Sequence, residues 1–202
     1  LVNIVIEEYE QERSVKGPLC LERKVPDGTG LKYIQTGDWF YGATLNSEML
    51  KNARISKAQP GLKRIITIEN KANFVSAPYQ EDTLYVFSHG YFTPKEKEFL
   101  QKLYCVLKGQ NICYLHSGDL DYGGVKIFHY IKTKIFPELM PLYMDAETFE
   151  AYEAYAEPIG EQKLEKLKKL EEPLLQPVID KMIETGLGIE QESFLLKGEG
   201  NL

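Results

Sequence analysis

The sequence predicts an α/β domain built on a mostly parallel sheet flanked by helices, and three observations carry that prediction. Short apolar runs at Arg64–Ile68, Thr83–Phe87 and residues 111–115 have the length and the β-branched and aromatic content of strands buried on both faces. Amphipathic segments alternate with them: Pro94–Leu107 places Phe99, Leu100, Leu103 and Leu107 on one side, and residues 124–135 do the same with Val125, Ile127, Phe128 and Ile131. Strand and helix in alternation favour parallel pairing through right-handed crossovers.

The remaining elements follow in chain order. Val2 to Ile6 alternates loosely and reads as a strand, and Pro26-Asp27-Gly28-Thr29-Gly30 as a turn. Ser47 stands where it can cap a short helix running to Ile55, and Pro60-Gly61 punctuates the chain before the first buried strand. Pro94 sits in the first turn of its helix, where a missing N–H is harmless. Residues 139–144 suit a fourth strand. Beyond them Leu164, Leu167, Leu170, Leu174, Leu175, Val178, Ile179, Met182 and Ile183 mark one or two amphipathic helices, bent near Pro173 and Pro177 and stopped by Gly186 and Gly188. The expected organisation is an N-terminal β-rich extension over residues 1–60 packed on the core, a core over 61–150, and a C-terminal helical region over 151–202.

Composition narrows the function. The 202 residues are 43% hydrophobic, with no apolar run long enough for a membrane helix and no secretory leader at the start. We therefore expect a cytoplasmic protein. A chain opening on Leu1 reads as a piece of a longer protein, or as one whose disordered first residues were trimmed. Three cysteines without metal-ligand spacing are expected to be free, buried thiols. A net charge of −6 argues against simple DNA coating, which needs Lys and Arg to replace counterions. It does not argue against a nuclease, whose carboxylates meet phosphate through a cation.

The chemistry concentrates at two strand ends. Glu69 directly follows the run ending in Ile68, and Gly118-Asp119-Leu120-Asp121 follows the run ending in Leu115. Ligands of parallel sheets meet the carboxyl ends of the strands, so adjacency of these two strands would bring three carboxylates to one edge. Asp119 and Asp121, two apart, point the same way in extended backbone. Crowded carboxylates call for a cation, and Mg²⁺ or Mn²⁺ accepts oxygen ligands while leaving positions for phosphate. Gly123 and Gly124 let the chain turn sharply into a helix whose N-terminus favours an anion. An Asp-x-Asp before glycines is most often a solvated loop, and a glutamate at a strand end is usually a surface residue. Their combination in this strand order is what lifts the reading.

Ile66-Thr67-Ile68-Glu69-Asn70-Lys71 with Phe74, then Ser88-His89-Gly90-Tyr91-Phe92, then His116-Ser117-Gly118-Asp119-Leu120-Asp121-Tyr122-Gly123-Gly124 together resemble the Toprim domain of JetD-like proteins. These are the nuclease subunits of Wadjet-type bacterial SMC systems that eliminate plasmids. The likeness is firm over about residues 62–130, and Gly188-Ile189-Glu190-Gln191-Glu192 is similar to the family's closing motif. Tyr122 departs from the pattern, which more usually has proline there. The Glu and Asp-x-Asp pattern is shared with the topoisomerase VI A subunit.

The resemblance implies a Toprim fold, catalytic metal ligation by Glu69, Asp119 and Asp121 with Mg²⁺ or Mn²⁺, and hydrolysis of plasmid DNA without sequence specificity. It also implies SMC-complex partners, a homodimer in the full-length protein, and an N-terminal half that this chain lacks. Glu190 and Glu192 are candidates for further metal ligands, weighed against a polar helix terminus. Lys71, His89, Gly90, His116, Gly123 and Gly124 are candidates for DNA or phosphate contact, although a structural histidine is the more ordinary reading of His89 and His116. A non-catalytic platform for DNA or an SMC partner is the alternative, as is a topoisomerase-like strand-breaking subunit. The tyrosine nucleophile of those relatives comes from a helical domain not visible in this sequence, so a water nucleophile is favoured. A phosphate-accepting receiver domain fits poorly, because its acidic pair and lysine are not found in order.

Overall fold

The computed structural model describes residues 13–24, 31–52, 54–57, 59, 61–88 and 90–196. The strand expected at residues 2–6 and the turn at 26–30 lie outside them. In chain order the elements are β1 (Arg13–Lys16), β2 (Cys20–Lys24), β3 (Leu31–Gln35), β4 (Ala43–Leu45), α1 (Ser47–Asn52), β5 (Arg54–Ile55), β6 (Arg64–Ile68), α2 (Lys71–Ser76) and β7 (Thr83–Phe87). They continue with α3 (Pro94–Leu107), β8 (Cys113–Ser117), α4 (Tyr122–Lys134), β9 (Met140–Pro141), α5 (Ala146–Tyr152), β10 (Glu157–Pro158), α6 (Glu161–Leu167), α7 (Gln176–Thr185) and β11 (Leu187–Gly188).

A mostly parallel six-stranded sheet runs in the order β4-β1-β7-β6-β8-β9. This is the α/β architecture expected, with the strands ending near Ile68 and Leu115 as neighbours. The chain divides into two compact units. One comprises the described residues up to Ile65 with Tyr79–Val86 and Phe92–Ile112; the other comprises Ile66–Pro78, Phe87–Tyr91 and the described residues from Cys113 onward.

In the first unit β1 pairs antiparallel with β4 and with β7, and β2 pairs antiparallel with β3 and β5. Gln59 ties this region to β2: its side chain accepts from Cys20 N at 2.7 Å and donates to Cys20 O at 2.9 Å. Helix α3 begins with a reciprocal cap. Thr93 Oγ1 accepts from Glu96 N, and Glu96 Oε2 accepts from Thr93 N at 2.7 Å. The helix buries Phe99, Leu100, Leu103 and Leu107, the four residues that its spacing predicts. Helix α1 is shorter than expected. Asn46, not Ser47, caps it by accepting from Met49 N at 3.0 Å, and Arg54–Ile55 leaves the helix to pair with β2.

In the second unit Ser88 N donates to Ile68 O and Glu69 N to Ser117 O, so the chain runs parallel at these strand ends. Strand β8 starts and ends two residues later than expected; at its end His116 and Ser117 are buried polar groups bonded to Thr67 and Gln191 rather than the start of a loop. The fourth strand is only Met140–Pro141. Pro141 offers no N–H, and Tyr143 turns the chain away with a φ of 57° before Asp145 caps α5. The tail resolves into two helices: α7 has proline in its first turn and ends at Gly186 in the left-handed region. Helices α2 and α5 and the β10–β11 pair are additions that no periodicity revealed. The cysteine expectation needs correction: all three are free, but only Cys20 is buried, while Cys105 and Cys113 are exposed. Among the described residues no helix is long and apolar enough to cross a membrane.

Candidate metal centre

The acidic residues meet within the second unit, and the backbone explains how. Leu120 and Ile189 exchange both backbone hydrogen bonds, at 2.8 and 3.0 Å, as an isolated antiparallel bridge. Both side chains are buried, so their alternate neighbours lie on the other face. Asp119 and Asp121 therefore share one side, and the antiparallel register sets Glu190 opposite Asp119 and Gly188 opposite Asp121. A Cβ on Gly188 would meet Leu120 O at 2.9 Å, which is why the closing strand crosses there on a glycine. Glu69 arrives from the adjacent strand end, its Oε2 3.4 Å from Asp119 N.

Gln191 locks this arrangement. It is fully buried; its backbone N–H donates to Asp119 Oδ1 at 2.8 Å, its Nε2 to Ser117 Oγ at 2.7 Å, and its Oε1 accepts from Asn70 N at 2.9 Å. Its carbonyl oxygen accepts from Asn73 Nδ2 at 3.0 Å. One side chain thus joins the end of β6, the end of β8 and the closing segment. Gln191→Ala should lower stability by about 2–4 kcal/mol, because it orphans buried partners and leaves a cavity. Thermal unfolding reads this directly, and an unchanged melting temperature would remove Gln191 from that role.

Electrostatics mark the cluster as short of positive charge. Burial first, and then the charge of Asp119, push Glu69 up to about 8, with Asp121 and Glu190 adding to the repulsion. Burial also raises Asp119 to about 6; the bond from Gln191 N opposes the rise and the neighbouring Glu190 and Asp121 reinforce it. Lys163, from α6, brings positive charge: its Nζ lies 3.1 Å from Asp121 Oδ2, and it also feels Glu190 and Asp119. Asp121 serves a second role, accepting from Gly124 N at 2.9 Å as the N-cap of α4. Among the described residues no three of these groups converge at ligating distance. They are taken up instead by backbone N–H groups and Lys163. The donor set nevertheless fits a hard divalent cation: oxygen donors, net negative, two of them held above their ordinary pKa by burial and, after it, by the neighbouring carboxylates.

The other residues singled out from sequence fall in different places. Gly124 is needed for close approach, since a Cβ there would clash with Asp119 O, and one on Gly123 would stand 3.0 Å from Asp121 Oδ1. Gly90 adopts a φ of +85°, the left-handed region. Lys71 is exposed at the first residue of α2. Glu192 is held by Asn70 Nδ2 at 3.0 Å, whereas Glu190 faces Asp119. His89 lies outside the described residues. His116 takes the structural reading favoured for it over phosphate contact: it is fully buried, with Nδ1 2.8 Å from Thr67 Oγ1, and burial pulls its pKa down to about 3. A neutral, buried ring cannot meet a phosphate, so His116 is an interior residue joining the neighbouring strands. Lys163 and Gln191 escaped the sequence reading. The first lay in a stretch of mixed charge, and the second was visible only as a letter in the closing motif.

Residues 31–197 match the family model described as Wadjet protein JetD, C-terminal. The chain belongs to the JetD C-terminal family. A relative from Bacillus cereus (strain Q1), named Wadjet protein JetD, is 30% identical over 164 residues, covering 79% of this chain and 40% of the relative. The chain thus spans about two fifths of the curated relative's length. In this JetD C-terminal domain the matched region includes Glu69, Asp119, Asp121 and Glu190, together with Lys163 and Gln191.

Proposed function

We propose that this domain is the divalent-metal-dependent DNA endonuclease of a Wadjet-type plasmid-defence complex, with Glu69, Asp119 and Asp121 as the metal-holding carboxylates and Glu190 as a fourth. The observation that carries the reading is the meeting of these four carboxylates at one sheet edge, with Glu69 pushed up to about 8, in a member of the JetD family. Mg²⁺ or Mn²⁺ held there would polarise a phosphodiester and acidify a water.

The chain's own residues define the rest. Gln191 fixes the Asp119 carboxylate through its backbone N–H, and Asp121 is oriented by its cap to α4. Lys163 neutralises part of the cluster and is placed to pair with a phosphate oxygen when it leaves Asp121. Nothing among these residues reads base edges, so target choice falls to SMC-complex partners. The test is plasmid cleavage by the protein with its partners in Mg²⁺ or Mn²⁺, against the same reaction in EDTA. Cleavage that persists in EDTA would overturn a metal-dependent site.

Cutting both strands of a duplex calls for two such sites, and we propose that the full-length protein supplies them as a homodimer. Sedimentation equilibrium at micromolar concentration should return twice the monomer mass; a monomer would remove the paired-site reading.

A further inference from the structure

A second feature of the same unit is not used by the acidic cluster. Against a chain charge of −6, a groove of about 650 Å³ is lined by Lys126, Lys134, Lys166 and Lys169 together with Tyr91 and Tyr122, and no acidic side chain lines it. On α4 the residues Tyr122, Lys126 and Lys134 recur at multiples of four and so share a face. Lys166 lies on α6, and Lys169 follows on the turn after it. Carboxylates beside the groove carry their own cations: Glu172, almost wholly buried, is taken by His129 and Lys132 at 2.8 and 2.9 Å, and Glu165 by Lys168 at 2.7 Å.

The lysines are organised rather than splayed. Lys126 Nζ lies 5.6 Å from the centre of the Tyr91 ring and 5.3 Å from that of Tyr122, and Lys166 Nζ lies 6.0 Å from the same Tyr122 ring. Ring faces attract both ammonium groups, yet they do not neutralise them. Two like charges gathered on one ring, with two more lysines beside them, complement an anion with several charges.

The groove and the acidic cluster draw on neighbouring residues of the same two helices. Tyr122 directly follows Asp121, and Lys166 stands one helical turn beyond Lys163, which reaches Asp121. A small anion would occupy one or two lysines, whereas positive charge carried over α4, α6 and the following turn suits a backbone with regularly spaced phosphates. Duplex DNA offers one charge per about 1.7 Å of its axis.

We propose that this groove holds the phosphate backbone of DNA beside the acidic cluster, with Lys126, Lys166 and Lys169 as the principal contacts. It rests on the reading that the cluster acts on DNA, and it accounts for how an acidic chain retains a polyanionic substrate.

The test is fluorescence anisotropy of a labelled duplex oligonucleotide with the full-length protein in EDTA, where neither metal nor cleavage contributes. Lys166→Glu/Lys169→Glu changes two exposed residues and should weaken binding by about tenfold or more while flattening the salt dependence by roughly two contacts. Lys126→Met should weaken it less, in the same direction. Lys95→Glu/Lys108→Glu, an equal change of charge at exposed positions elsewhere, should leave affinity within about twofold, as expected for loss of long-range attraction alone. Equal affinity of the groove double variant and wild type overturns the proposal, as does an equal loss in the Lys95/Lys108 double variant. Displacement of the duplex by inorganic phosphate at the same phosphate concentration also overturns it, because that marks a small-anion site. Failure of the nuclease reading is distinguishable: cleavage in EDTA refutes the metal site, while this binding result is independent of it.

Discussion

Asp119→Asn should abolish metal-dependent plasmid cleavage, lowering the rate by on the order of 10³ or more, the equivalent of the several kcal/mol that a cation's charge supplies to phosphate chemistry. The substitution is chosen for what it keeps. The amide oxygen of Asn still accepts from Gln191 N, so the closing segment stays seated and only the charge is lost. Asp121→Asn has the same logic, since asparagine caps a helix as well as aspartate does and the bond to Gly124 N survives. Asp121→Ala would confound the result, adding about 1 kcal/mol of lost capping to the lost charge. Glu190→Gln separates two roles: an effect as large as that of Asp119→Asn marks a metal ligand, and a mild one marks a supporting group. The measurement is plasmid cleavage by the reconstituted complex, with wild type and variants compared at matched melting temperature. Equal cleavage by Asp119→Asn and wild type would show that these carboxylates do not do the chemistry, and the domain would then be a platform for DNA or an SMC partner.

The second large effect is a gain of stability. Glu69 stands at about 8 in the folded protein, far above the ordinary carboxylate range, because burial and Asp119 disfavour its charge. A folded-state pKa raised in this way favours the protonated form. The stabilising contribution is therefore complete below the unfolded value and is lost as pH rises through about 8. Asp119, raised to about 6, acts in the same sense over a lower range. Without divalent ions the wild type should thus melt at progressively lower temperature between pH 5 and pH 8. Glu69→Gln removes the larger titration, and at pH 8 it should exceed the wild type by on the order of 1–3 kcal/mol, or roughly 2–4 °C per kcal/mol. Added Mg²⁺ should raise the wild-type melting temperature more at pH 8 than at pH 6 and should do little for Glu69→Gln. A variant that melts below the wild type at pH 8 in EDTA would mean that Glu69 is not held under repulsion.

On the proposed reading both effects come from a trade of stability for function. Four carboxylates at one edge, with Lys163 as the cation beside them, are poor for folding and suited to capturing a divalent cation. Gln191 and the Leu120–Ile189 bridge hold the chain in a register that repulsion alone would open.

The sequence by itself determined much of this. The apolar runs of β6 and β7 and the stripe of α3 were legible to the residue, because local period and burial agree there. Glu69 and the Asp119–Asp121 pair were legible from their places after strands, since the carboxyl ends of parallel strands share an edge. Tertiary structure decided the rest. The end of β8 shifted because His116 and Ser117 find buried partners on other segments, which no local pattern reports. The antiparallel register at Leu120 and Ile189 brings Glu190 to the cluster, while the tight helical turn that begins at Gln191 takes Glu192 to Asn70, a choice between two glutamates that sequence leaves equivalent. Lys163 came to the cluster, and Lys166 to the groove, only through the packing of α6 on α4. Charge acts through space, so partners that are 42 residues apart along the chain, as Lys163 and Asp121 are, become visible only once the chain is folded.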